Sequence, residues 1–180
     1  MTDGHRHWLQ INRAPVLTLW ASVVAERLGY DCDEALSLGK AVAGLNAYAK
    51  GKSLGLFQPS RKKVAASRTQ SKTGHTLQID LLGRAVTIRH ENDGIRAVKG
   101  GSTITPDGVR QYLGNKFGDA LADTRSAMQE LARSRSPTRL ASDAYPLYEA
   151  FRPEIPSGKK GWGAAGRLSL DKIRSLAQGS

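Results

Sequence analysis

The stretch that decides the fold runs from residue 14 to residue 51 and reads APVLTLWASVVAERLGYDCDEALSLGKAVAGLNAYAKG. Its first half predicts an amphipathic helix over residues 14–28, because the large apolar side chains recur at spacings of three and four. Gly29 is a natural C-terminal cap, since glycine tolerates a positive φ. Asp31 and Glu34 have the spacing of a capping box, so a second helix is expected to follow at once.

The second helix carries a row of small residues four positions apart, which are Ala35, Gly39, Ala43 and Ala47. Residues at this spacing share one face of a helix, so the row lets another helix approach closely. The same row leaves this helix with little polar surface on that face.

The pair of helices resembles a known DNA-binding unit. Residues 24–30, Val-Ala-Glu-Arg-Leu-Gly-Tyr, are similar to the Ala-x-x-x-Gly end of the first helix in helix-turn-helix DNA-binding proteins, and the resemblance covers residues 16–49. It implies that residues 32–48 form a recognition helix lying in the major groove of DNA. The side chains of this region suited to contacting DNA are Lys40, Asn46 and Lys50.

The sequence departs from that pattern at the start of the second helix. Asp33 and Glu34 stand where a recognition helix approaches DNA, and their carboxylates would face phosphates. An ordinary αα-hairpin without a role in groove reading is the alternative.

The rest of the chain predicts a small sheet and further helices. Apolar and polar residues alternate at 76–81 and 85–90, with Gly83-Arg84 as the turn, and a third short strand follows at 95–99. Further helices are expected from Thr105-Pro106 and at 119–134, 138–151 and 168–176.

The predicted fold class is α+β, with an N-terminal αα-hairpin that resembles a helix-turn-helix, a small three-stranded antiparallel sheet and C-terminal helices. The chain is expected to divide into a helical hairpin at 1–57, a basic linker at 58–75, a β-meander with helices at 76–157, and a basic Gly-rich loop with a terminal helix at 158–180.

Positive charge is concentrated in two short segments. The chain has a net charge of +11 and a pI of about 10.1. Residues 58–75 hold five basic and no acidic residues, and residues 158–180 hold five basic residues and one acidic residue. These segments therefore carry nine of the eleven excess charges, a clustering that favours a polyanionic partner over uniform solubilisation. Two solvated loops are the alternative.

The second segment contains Gly161-Trp162-Gly163-Ala164-Ala165-Gly166, which matches the G-x-G-x-x-G pattern. Dinucleotide binding is excluded, because the pattern needs a strand before it and a βαβ unit after it. Glycines let phosphate approach the backbone, lysine and arginine neutralise it, and an indole can stack on a base. Alternatively, Trp162 packs into the core and the glycines only form turns.

Other kinds of site find no support in the sequence. Lys50-Gly51-Lys52-Ser53 ends like a P-loop, but position 46 is Asn where the motif needs Gly. No catalytic residue, metal ligand or cofactor is expected, and the chain is predicted not to be an enzyme. Cys32 is the only cysteine, and no apolar run is long enough to cross a membrane, so the cytoplasm is the expected location.

These observations predict a non-enzymatic nucleic-acid-binding protein that binds mainly through phosphate contacts. DNA is favoured over RNA as its ligand. A protein-interaction or dimerisation module, including a homodimer, is the alternative. The expected nucleic-acid-binding residues are Lys40, Asn46, Lys50, Lys52, Arg61, Lys62, Lys63, Arg68, Lys72, Lys159, Lys160, Trp162 and Arg167.

Overall fold

The computed structural model describes residues 8–53, 76–92, 94–99, 101–155 and 165–178, with residues 46–53, 76 and 165 described by their backbone. The predicted α+β class is confirmed. The helices are α1 (Arg13–Arg27), α2 (Cys32–Ser53), α3 (Pro106–Phe117), α4 (Leu121–Arg133), α5 (Pro137–Phe151) and α6 (Leu170–Gln178), with a 3-10 turn at Gly118–Ala120. The strands are β1 (Trp8–Asn12), β2 (Thr76–Leu81), β3 (Arg84–Glu91), β4 (Gly94–Lys99), β5 (Ser102–Thr103) and β6 (Ala165–Ser169).

Helices α1 and α2 follow one another through a short turn and pack along their length. The capping box is confirmed: the Glu34 amide donates to Asp31 Oδ1 at 2.8 Å, and the Asp31 amide donates to Glu34 Oε1 at 3.0 Å. Gly29 has a φ of +116°, as the predicted cap requires.

Helix α1 is more deeply buried than the predicted amphipathic pattern implied. All residues from 15 to 25 are buried, because α2, α4 and α5 surround the helix. Ser22 and Thr18 satisfy their hydroxyls within α1, donating to the Leu19 and Ala14 carbonyls at 2.8 and 2.9 Å. The helix is therefore the centre of the core rather than one face of it.

The prediction of a three-stranded meander was wrong in its details. The sheet has four strands in the order β2-β3-β4-β5, because the chain continues past Gly101 into the two-residue strand β5. The first turn lies at Leu82-Gly83, with φ values of 51° and 75°, and Arg84 already belongs to β3. Positive φ at both turn residues is typical of a tight two-residue hairpin.

Helix α2 covers the sheet and is joined to β4 by side-chain hydrogen bonds. The Ile95 amide donates to Glu34 Oε2 and the Ala97 amide donates to Ser37 Oγ, both at 3.0 Å. Glu34 thus caps its own helix and also satisfies an amide of β4. These bonds align β4 with α2, so that Lys99 lies beside Gly44, further along the helix.

A second sheet, absent from the prediction, joins the two ends of the described chain. Strands β1 and β6 pair antiparallel, with Trp8 opposite Ser169 and Asn12 opposite Ala165. Leu168 therefore lies in a strand rather than in the predicted helix 168–176, and the terminal helix begins at Leu170.

The remaining helices lie close to their predicted positions. Thr105 caps α3 by accepting a hydrogen bond from the Gly108 amide at 3.3 Å. The predicted helix 119–134 opens as a 3-10 turn and becomes α4 at Leu121. Pro146 stays inside α5 without dividing it. None of the helices in the described ranges is long and apolar enough to cross a membrane.

Candidate nucleic-acid interface

The packing of α1 against α2 defines two ends of the helix pair. Gly39 lies against Thr18 and Ser22, so Arg13 at the start of α1 lies roughly level with residue 46 of α2. Helix α2 then continues for seven residues, or about 10 Å, beyond the start of α1. We call this end, where α1 begins and α2 ends, the basic end.

Both charge-rich segments are attached to the described structure at the basic end. One follows α2, whose last residue is Ser53. The other, 158–180, contains β6 and α6, and its first residues, with Lys159 and Lys160, come just before Ala165, which pairs with Asn12 immediately before α1. Thus the chain departs from α2 and returns to β6 at the same end of the helix pair. The first segment rejoins the described structure at Thr76.

Two arginines, Arg13 and Arg152, lie at the basic end on the side of β1. The Arg13 guanidinium donates from Nε to the Pro153 carbonyl at 2.9 Å, and Tyr148 donates its hydroxyl to the Arg13 carbonyl at 3.5 Å. Burial, and then the neighbouring charge of Arg152, lower the pKa of Arg13. The first turn of α1 contains no acidic residue, so the positive end of the helix dipole adds to these charges.

Three lysines from three elements interact through their charges: Lys99 on β4 and Lys116 on α3 both act on Lys40 of α2. The Lys40 ammonium stands 3.8 Å from the centre of the Tyr112 ring. Burial, followed by repulsion from Lys99 and Lys116, lowers the pKa of Lys40. Within the described ranges none of the three ammonium groups forms an ion pair with a carboxylate. We call these residues the lysine cluster.

Little of the described part of α2 is free to enter a DNA groove. Residues 35–39 and 41–43 are buried, and Lys40 is turned onto Tyr112. At the start of the helix Asp33 pairs with Arg110 of α3, and Glu34 is bonded to β4. The side chains of the other candidates on this helix, Asn46, Lys50 and Lys52, lie outside the described residues, so groove reading by α2 stays a prediction.

The remaining predicted residues divide into one that is described and eight that are not. Arg167 lies on β6, is exposed, and its guanidinium carbon stands 4.5 Å from the centre of the Trp8 ring. The others, Arg61, Lys62, Lys63, Arg68, Lys72, Lys159 and Lys160, lie outside the described residues together with Trp162.

Trp8 is a candidate functional residue that the sequence interpretation missed. Its indole is 49% exposed, which is unusual for so large an apolar side chain. The alternation of residues 8–12, in which Leu9 and Ile11 are buried and Gln10 is exposed, is a strand signal that could have revealed it.

The arginines at the opposite end of the helix pair have partners of their own. Arg27 donates to the Ala132 and Arg135 carbonyls, at 3.4 and 2.9 Å. Arg135 and Arg139 both approach Asp143, at 3.5 and 3.4 Å. These cations are bound to the carbonyl of Ala132 in the last turn of α4, to the Arg135 carbonyl and to one carboxylate, so they have partners within the fold.

The described residues contain no group of three or more His, Cys, Asp or Glu side chains that could hold a metal ion. Comparison with known proteins found no match among family models, curated proteins or solved structures. The function of the chain therefore has to be inferred from its own residues, and above all from the basic end.

Proposed function

We propose that this protein is a non-enzymatic nucleic-acid-binding protein that holds its ligand at the basic end, mainly through phosphate contacts. The observation that carries the proposal is the attachment of both charge-rich segments to the same end of the α1–α2 pair. Seven basic residues, the five of 58–75 together with Lys159 and Lys160, thereby belong to stretches that start or finish within one region. A polyanion is the partner that such a concentration of charge attracts most strongly.

The folded body supports this proposal with its own cations. In the lysine cluster the charges of Lys99 and Lys116 oppose the charged state of Lys40. A phosphate bound beside Lys40 would offset that repulsion with attraction. On the side of β1 the charge of Arg152 opposes the charged state of Arg13, and an anion bound there would act in the same way.

Phosphate contact has stronger support than groove reading. The preference for DNA rested on the resemblance of α2 to a recognition helix, and residues 35–39 and 41–43 of that helix are buried. Phosphates are offered by DNA and RNA alike, so both belong to the proposal. A reducing, cytoplasmic location suits the free and exposed Cys32 and is part of the same proposal.

Charge reversal at matched positions tests the proposal. We expect Lys99→Glu with Lys116→Glu to weaken the binding of a fluorescently labelled oligonucleotide by about tenfold or more at low salt. The control is Arg133→Glu with Arg139→Glu, which changes the net charge equally at the opposite end and is expected to cost less than about threefold. Fluorescence anisotropy measures both, with thermal unfolding as the check on folding.

Equal losses in the two double variants would show that only the net charge matters, and would contradict an interface at the basic end. Failure of the wild-type protein to bind DNA or RNA even at low salt would contradict the proposal itself. Dimerisation is then the alternative, measured by sedimentation. The two sequence features that favoured dimerisation are used within the chain, because residues 15–25 of α1 are buried and Gly39 of the small-residue row packs against α1.

A further inference from the structure

The two-stranded sheet of β1 and β6, which we call the β1–β6 ribbon, has one buried and one exposed face. Leu9, Ile11 and Leu168 point into the core. Residues directly opposite one another in an antiparallel pair share a face, so the pairs Trp8–Ser169 and Gln10–Arg167 lie together on the other side. This exposed face therefore combines an indole, an amide, a guanidinium and a hydroxyl within two strands of five residues.

The indole on this face is held in place but left accessible. The guanidinium of Arg167 lies over the Trp8 ring, 4.5 Å from its centre, which favours one orientation of the indole. Nearly half of the Trp8 side chain nevertheless remains in contact with solvent. The second indole described in the structure, Trp20, is instead fully buried and donates from Nε1 to the Ala144 carbonyl at 2.9 Å. Core packing explains Trp20 and leaves the exposure of Trp8 unexplained.

Glu154 forms an isolated antiparallel bridge with Arg167 of β6, which adds one residue to the ribbon. Its amide donates to the Arg167 carbonyl at 3.0 Å and its carbonyl accepts from the Arg167 amide at 2.9 Å. Glu154, Arg167 and Gln10 therefore form a row across the exposed face. A carboxylate in this row repels phosphate, whereas it accepts hydrogen bonds from the amino groups of bases. The row thus suits the edge of a base better than the backbone of a nucleic acid.

From this combination we infer that the exposed face of the ribbon binds an unpaired base of single-stranded nucleic acid, stacked on Trp8. The inference rests on the proposed function and names the class of ligand. Aromatic side chains combined with a positively charged path are the usual means of holding single strands. Bases inside a duplex are already stacked and cannot reach an indole on the surface of a ribbon.

The experiment compares single strands with a duplex, using the full-length protein. The probes are labelled oligodeoxycytidylate and oligocytidylate of about 12 nucleotides, whose bases carry an amino group that can donate to Glu154, and a DNA hairpin duplex of similar charge. We expect Trp8→Ala to weaken single-strand binding by about tenfold and to leave duplex binding unchanged. Trp8→Phe keeps an aromatic ring and should stay within about threefold of the wild type. The two single strands separate DNA from RNA as the natural source of the base.

The matched control is Leu77→Ala, which removes another large apolar side chain, 54% exposed, from edge strand β2. It should leave single-strand binding unchanged. Arg167→Gln removes the stacked cation and keeps the backbone pairing with Glu154, so it guards against a Trp8 variant that fails to fold. We expect it to weaken single-strand binding by about threefold.

Three other kinds of outcome would overturn the inference. If Trp8→Ala changes single-strand binding less than twofold, or weakens single-strand and duplex binding equally, Trp8 is not a stacking platform. If the wild-type protein binds duplex but no single strand, the inference fails while the proposed function stands. If it binds neither, the proposed function fails and the inference fails with it.

Discussion

At the scale of single residues, the charged side chain of Lys40 lowers the stability of the folded state. Burial and the charges of Lys99 and Lys116 lower its pKa below the ordinary 10.5, so folding opposes its protonation. Just below pH 10.5 the unfolded chain binds more protons at this residue than the folded chain. The contribution of Lys40 to stability therefore rises with pH in that window. The contact of its ammonium with the Tyr112 ring offsets part of this cost.

A phosphate bound near Lys40 would add a negative charge to surroundings that are otherwise positively charged. We predict that the pKa of Lys40 rises when a short oligonucleotide is added to saturation, because the negative charge favours the ammonium form. The measurement is a pH titration of the lysine side-chain resonances by NMR, with Lys40→Arg assigning the signal. Lys116→Gln is the control: it removes one repelling charge and should raise the pKa of Lys40 without any ligand. An unchanged pKa at saturation would mean that the lysine cluster does not contact phosphate.

At the scale of elements, the packing of α2 on α1 depends on Gly39. A Cβ at this position would clash with the Thr18 carbonyl oxygen and lie 2.9 Å from the Ser22 amide nitrogen. Both atoms belong to the backbone of α1, so no change of rotamer relieves the clash. The predicted close approach along the small-residue row is therefore confirmed at its centre.

We predict that Gly39→Ala lowers the free energy of unfolding by about 1–3 kcal/mol, because α1 has to move away from α2. The control is Gly114→Ala in α3, where an added Cβ meets nothing within 4 Å. There alanine should raise the stability by about 0.5–1 kcal/mol, since it is the better helix former. Denaturant unfolding measures both changes. Equal stabilities for the Gly39 variant and the wild type would show that the two helices tolerate a wider separation.

The elements that the sequence predicted well are those whose signals are local. The capping box of Asp31 and Glu34 lies within four residues, and so does the turn at Gly29. The β1–β6 ribbon was missed because residues 8–12 find their partners at 165–169, at the other end of the chain. Burial of residues 15–25 of α1 likewise depends on helices that come much later in the sequence. Pairing over such distances leaves no short-range pattern.

In the candidate site, too, the features with local sequence signals could be predicted and those that depend on long-range packing could not. Charge clusters are visible in the sequence, because they are counts over short windows. Their attachment to one end of the helix pair depends on the packing of α1 and α2 and on the ribbon. The place of Lys40 beside Lys99 and Lys116 likewise depends on three separate elements. Residue types could therefore be predicted, whereas their convergence could not.

At the scale of the whole molecule, we predict that both charge-rich segments contact one ligand, because both are attached at the basic end. Each lysine–phosphate contact contributes about 0.7 to the slope of log affinity against log salt for a single strand, and about 0.9 for a duplex. We predict that Lys62→Glu with Lys63→Glu lowers this slope by roughly one to two, and that Lys159→Glu with Lys160→Glu does the same. All four substitutions together should lower it by the sum.

The stoichiometry of binding distinguishes one shared site from two separate ones. With one site, a short oligonucleotide binds once, and either pair of substitutions weakens that single event while the stoichiometry stays at one. With two sites, the wild-type protein would bind two oligonucleotides, and each pair of substitutions would remove one of them without changing the salt dependence of the other. Calorimetric titration at several salt concentrations gives both quantities. A stoichiometry of two that falls to one in either double variant would show that the segments act apart, despite leaving the helix pair at the same end.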